Sequence, residues 1–145
     1  MTSIPDYMTA KHRECDDAFI IAESKVVDGN WSLALEKWQE FKLELMNHFE
    51  QEEETLFPTF EQATGMTGGP TQVMRMEHQQ MRALVQELDN AMTAKDKDTY
   101  LGLSETLMVM MQQHNMKEEM MLYPMMAQNL PQGDQIIESF KTEKA

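Results

Sequence analysis

The sequence predicts an all-α protein, an up-down-up-down four-helix bundle with a short C-terminal helix. Three observations predict it. Apolar residues recur at alternating steps of three and four over four long segments, the period of one face of a helix. No run alternates apolar and polar residues as a half-buried strand does. The breaks between segments are short: "DGN" at 28–30, "TGMTGGPT" at 64–71, "AKDKDT" at 94–99 and "PQGD" at 131–134. Short loops join antiparallel neighbours in such bundles. The expected organisation is one domain over residues 1–145, made of two helical hairpins at about 5–63 and 71–130.

Each element has its own signature. The first carries Met8, His12, Cys15, Phe19, Ala22 and Val26 on one seam, and "DGN" ends it. The second steps through Trp38, Phe41, Leu45, His48 and Glu52. Pro58 follows, and because proline disrupts the preceding turn it is expected to bend or end that helix. Thr71 is the expected N-cap of the third helix, whose seam is Met74, His78, Met81, Val85, Leu88 and Met92. The fourth seam reads Leu101, Ser104, Met108, Met111, His114 and Glu118, and Pro124 repeats the break at Pro58. "QIIESFK" forms the short last helix.

Composition narrows the function. The 145 residues are 41% hydrophobic and 26% charged, enough for one folded core. A net charge of −13 makes a poor partner for nucleic acid or an anionic membrane surface. No apolar stretch is long enough to span a bilayer. The first residues lack the basic and apolar regions of a signal peptide. Cys15, the single cysteine, has no internal disulfide partner, which suits a reducing cytoplasm, the expected location. The 16 methionines read as adaptable core filler, since most fall on apolar stripes.

The chain also repeats itself. Shifted by 66 positions, His12 falls on His78, His48 on His114, Glu52 on Glu118 and Glu53 on Glu119, while "LFP" (56–58) falls on "LYP" (122–124). General similarity is absent, since Trp31 falls on Lys97 and Trp38 on Ser104. All four histidines of the chain lie in the seams. Seam positions are about two in seven, so chance would place all four there well under one time in a hundred. Distances from the turns near positions 29 and 96 put both histidines of a hairpin at one height. Glu52 and Glu118 follow His48 and His114 by four residues, on the same face. Two core carboxylates without cations are costly to bury as ions, and a pair of metal ions removes that cost. Imidazole and carboxylate ligands without thiolate suit iron, manganese or zinc. The Glu-x-x-His motif of ferritin-like bundles is absent; the order here is His-x-x-x-Glu.

His12, His48-x-x-x-Glu52 running into "TLFP", Glu77–His78, and His114-x-x-x-Glu118 running into "MLYP" together resemble a hemerythrin-like, or HHE cation-binding, domain over about residues 5–130. The resemblance implies a metal set of His12, His48, Glu52, His78, His114 and Glu118 around two iron ions with an oxo or hydroxo bridge, manganese and zinc being the alternatives. His12 and His48 would serve one ion, His78 and His114 the other, and the two glutamates both. It also implies a small ligand such as O2, NO or peroxide, to be bound, reduced or sensed, and leaves room for an unidentified protein partner. Oxygen carriers of this family have a fifth histidine one turn after the third-helix ligand. That position is Arg82, and its duplicate is Asp16. Its absence favours reaction, sensing or iron handling over reversible oxygen carriage. The competing expectations are an iron donor for iron–sulfur repair and a zinc-filled or structural bundle that binds a partner.

Overall fold

The computed structural model describes residues 2–143; Met1, Lys144 and Ala145, the ends of the expected 1–145 domain, lie outside the described residues. Helices α1 (Ile4–Val27), α2 (Trp31–Gln51), α4 (Pro70–Ala94) and α5 (Lys97–Lys117) are long; α3 (Phe57–Thr64), α6 (Tyr123–Asn129) and α7 (Gly133–Glu143) are short. No strand occurs among the described residues.

Local chemistry explains the boundaries. The Ser3 side chain accepts from the Asp6 N–H, and Pro5 sits in the first turn of α1, where its missing N–H costs nothing. Gly29, at φ +75°, turns the chain after α1, and Asn30 then caps α2 by accepting from the Leu33 N–H at 3.2 Å. Asp96 does the same for α5 through Thr99. Thr71 is not the N-cap of α4. Gly69 takes the cap position and Pro70 starts the helix, two residues earlier than a Thr71 cap would, and the Thr71 hydroxyl donates to Glu61 at 2.6 Å instead.

The two prolines, expected to bend or end their helices just past the glutamates, stand after a local change of helix type. Five-residue π-helical segments, Glu52–Leu56 and Glu118–Leu122, precede them, and the run resumes as α3 and α6. Phe57 N–H bonds the Glu52 carbonyl, and Tyr123 N–H bonds the Glu118 carbonyl, each five residues back. Proline offers no N–H and its ring crowds the carbonyl four residues back. One wide turn absorbs both problems, and such turns recur at functional sites. Each begins at a glutamate of the expected metal set.

Helix α1 packs along α2 and α4 along α5; α1 also meets α5 and α6, and α2 meets α4. The seams of the first three helices are buried as expected. In α5 the buried line runs through Tyr100 and Leu107, whereas Leu101 and Met108 are only partly covered. Both lines step by threes and fours, and the aromatic ring takes the inner place. Two apolar clusters result. One contains Phe19, Trp38, Phe41, Leu88, Tyr100 and the cysteine, Cys15. The other contains Met8, Leu56, Phe57, Met74, Leu122 and Tyr123, with Ile137 and Phe140 of α7 closing its end. The histidines lie between them. No helix among the described residues is long and apolar enough to cross a membrane.

Candidate metal centre

Four helices each bring one histidine to the level between the clusters, and the two π-turns bring the glutamates. His12, His48, Glu52, His78, His114 and Glu118 are all at most 4% exposed. The Nε2 atoms of His12 and His48 lie 3.1 Å apart. Glu118 Oε1 is 3.1 Å from His12 Nε2 and 3.3 Å from His114 Nε2. Glu52 Oε1 is 3.0 Å from His78 Nε2, and its other oxygen is 3.6 Å from His48 Nε2. Among the described residues, two groups emerge whose ligand atoms lie within 4.8 Å of one another: Glu52, His78, His114 and Glu118, and His12, His48 and Glu118. Glu118 belongs to both.

Behind the imidazoles stands a second ring of carboxylates. His12 donates from Nδ1 to Glu119 at 2.7 Å, His78 to Glu53 at 2.7 Å and His114 to Glu77 at 2.8 Å. Each such bond fixes the tautomer and turns the Nε2 lone pair inward. Glu53 follows α2 but holds a histidine of α4, and Glu119 follows α5 but holds a histidine of α1. The hairpins therefore orient each other's histidines. Sequence reasoning noticed that Glu53 and Glu119 recur without assigning them a role, and Glu77 only as part of "EH". Their recurrence beside a ligand-type residue was the available signal.

Tyr123 was also passed over. Its hydroxyl donates to Glu52 Oε2 at 2.6 Å and lies 3.0 Å from Glu118 Oε1, with Nε2 of His12 and His48 at 3.1 and 3.3 Å. Its duplicate, Phe57, has no hydroxyl and stacks on His78. Phe49 covers the other half of the site, its ring 3.9 Å from that of His78. Arg82, at the place of a fifth histidine, grips both oxygens of Glu53 at 2.7 and 2.9 Å and lies over Phe49. Asp16, its duplicate, stays outside both ligand groups and lines a surface cleft with Glu119.

The electrostatics are those of a crowded, dry site. Burial pushes His48 down to about 4, and burial with the charge of His114 does the same to His78. His114 is also penalised by burial, yet Glu118 and Glu77 hold it above its ordinary value. Burial and neighbouring Glu118 drive Glu52 well up. Burial works against ionised Glu118 too, but His114, Glu52 and His12 outweigh it and hold it well down. One carboxylate is thus kept ionised at the expense of the other, as expected for two acids sharing a site.

Do these residues fit a metal? Glu52 Oε1, His78 Nε2, His114 Nε2 and Glu118 Oε2 are buried without a hydrogen-bond partner. Buried polar atoms are normally satisfied, and four orphaned acceptor-type atoms in one small space suit cations. Nitrogen and oxygen donors backed by hydrogen-bonded carboxylates are the donor chemistry of iron, manganese and zinc sites.

The family model for the hemerythrin HHE cation-binding domain matches residues 3–143, nearly the whole chain. No curated protein and no solved structure matches the chain significantly. The chain belongs to the hemerythrin HHE cation-binding domain family.

Proposed function

We propose that this chain is a non-haem di-iron protein that reacts with or senses a small oxidant: O2, peroxide or NO. It is a single domain, residues 1–145, folded as an up-down-up-down four-helix bundle with a short C-terminal helix, and it works in the cytoplasm. His12 and His48 would hold one iron ion and His78 and His114 the other; Glu118, which stands in both groups, and Glu52, which stands with the second, would serve both. The observation that carries this reading is the pair of buried ligand groups joined through Glu118, with four orphaned ligand atoms gathered at the His78/His114 group. When bound, iron would supply the redox chemistry.

The protein's own part is positional. Glu53, Glu77 and Glu119 orient three imidazoles, and the Tyr123 hydroxyl donates to Glu52 with Glu118 3.0 Å away. The apolar clusters above and below exclude water. Arg82 is tied to Glu53 instead of entering the centre, so no fifth imidazole saturates one ion. The missing fifth imidazole supports reaction or sensing over reversible carriage.

Anaerobic reconstitution with Fe(II) and metal analysis tests the reading. Two irons per chain are expected, with near-ultraviolet absorption appearing after exposure to O2 and persisting when O2 is removed. One iron or none would overturn the dinuclear site; a spectrum that reverses on removing O2 would restore the carrier. Preferential retention of zinc without colour would favour the structural bundle.

A further inference from the structure

The two His pairs are alike in sequence and unlike in support. At the His78/His114 position four ligand residues converge, including both glutamates. Both imidazoles are held from behind, by Glu53 and Glu77. Each of those carboxylates is anchored by a cation, Arg82 on Glu53 and Lys117 on Glu77.

The His12/His48 position has three convergent residues, with Glu118 the one carboxylate. The Tyr123 hydroxyl occupies the inner side of this pair, bonded to the Glu52 oxygen that would face it. Glu119 holds His12, but among the described residues no lysine or arginine pairs with Glu119. Where Arg82 stands in the other half, this half has Asp16, and the two acids border an open cleft of about 380 Å³. His48 is the least supported of all: its Nδ1 is buried and has no hydrogen-bond partner. The duplicate of Glu77 is Lys11, which pairs with Glu14. An ammonium group cannot accept the imidazole proton.

Resting on the dinuclear reading above, we propose that the two positions hold metal unequally. The His78/His114 position retains its ion, and the His12/His48 position exchanges its ion, with His48 the ligand that lets go. A carboxylate behind a ligating imidazole fixes its tautomer and raises its basicity, and loss of such a partner costs about 10–100-fold in metal affinity. Three of the four histidines have that partner, and the fourth does not. The inner phenol and the open cleft lie at the same position, so every difference between the halves points in one direction.

The test uses the full chain loaded anaerobically with Co(II), two ions per chain being verified first, then challenged with increasing chelator. Release in two phases is expected, one ion leaving at about 10–100-fold lower chelator than the other. His48→Ala should bind one ion with the affinity of the retained phase, whereas His78→Ala should abolish that phase. Lys11→Glu puts a carboxylate at the position that corresponds, by the 66-residue repeat, to Glu77 behind His114, and should draw the phases together by tightening the loose ion. Glu77→Gln should draw them together by loosening the retained one, and keeps the proposal testable if Lys11→Glu does not fold. Two ions released together from the unaltered chain would overturn the inequality and leave the dinuclear reading standing. Loss of the tight phase in His48→Ala would overturn the assignment. Failure of the unaltered chain to take up two ions would overturn the dinuclear reading itself, and the inequality with it.

Discussion

At the histidine level the two hairpins repeat the same ligand types, His for His and Glu for Glu; about three turns away along the seam, around Trp38, the repeat dissolves. Trp38 corresponds to Ser104, and Ala34 to Tyr100. Yet all four are fully buried, and the rings of Trp38 and Tyr100 pack edge to face at 5.8 Å. One helix supplies small then large, its counterpart large then small. Their summed volume fills the core without either half resembling the other. The polar handles differ as well: the Trp38 indole N–H donates to Asp89, and the Ser104 hydroxyl to Glu23 at 2.7 Å. The difference teaches what each level requires. A packed core needs total volume and complementary shape, which many residue pairs satisfy. A ligand set needs particular donor atoms at particular places, which few satisfy.

The sharpest way to break this comparison is to exchange one demand for the other. Glu118→Ala removes the carboxylate common to both ligand groups and is expected to lose both ions, read by metal analysis, while circular dichroism still reports a helical chain. Retention of both ions in that variant would show that the shared carboxylate is not shared. Trp38→Ala should do the reverse. It empties a fully buried site and is expected to cost about 3–5 kcal/mol, lowering the unfolding midpoint by roughly 10 °C with two ions still bound. Loss of metal at unchanged stability would mean that the levels are not separable.

Smaller changes sharpen the contrast within the metal level. Tyr123→Phe makes the second hairpin match the first at that position. It removes the hydrogen bond to Glu52, the carboxyl kept neutral in the metal-free protein, and is expected to cost that form about 0.5–1.5 kcal/mol, measured by denaturant unfolding, without changing the number of ions taken up. An unchanged unfolding midpoint would leave the phenol without a positioning role. Smallest is Arg82→Ala. The Arg82–Glu53 pair is partly exposed, at 27% and 21%, so about 0.2–1 kcal/mol is expected. That loss should fall on the ion at the His78/His114 position, as up to about a fivefold drop in affinity at low salt. An equal loss at both positions would erase the distinction between the halves.

Much of this molecule was legible as sequence because its signals are local. Steps of three and four mark the seams, and His-x-x-x-Glu places two ligand types on one face. The errors were also local. Thr71 was chosen over Pro70 as the start of α4, since hydroxyl residues are good caps and proline is an equally good first residue. Leu101 and Met108 were chosen over Tyr100 and Leu107, since the period admits both lines. Pro58 and Pro124 signal a bend or an end just past each glutamate, but a π-turn leaves no compositional mark of its own.

What the sequence by itself determined is the helical content, the two hairpins and the six buried residues that meet at one level, all consequences of period and of distance from a turn. The tertiary structure decided which hairpin reaches which. That Glu53 holds His78, that Glu119 holds His12, and that Tyr123 turns its hydroxyl onto Glu52 while His48 keeps an unpartnered Nδ1, depend on the rotation and spacing of helices joined through residues 65–69. Period specifies which face a residue occupies along its own helix. It carries no information about the register between two helices that share no short turn, and that register sets every contact across the centre.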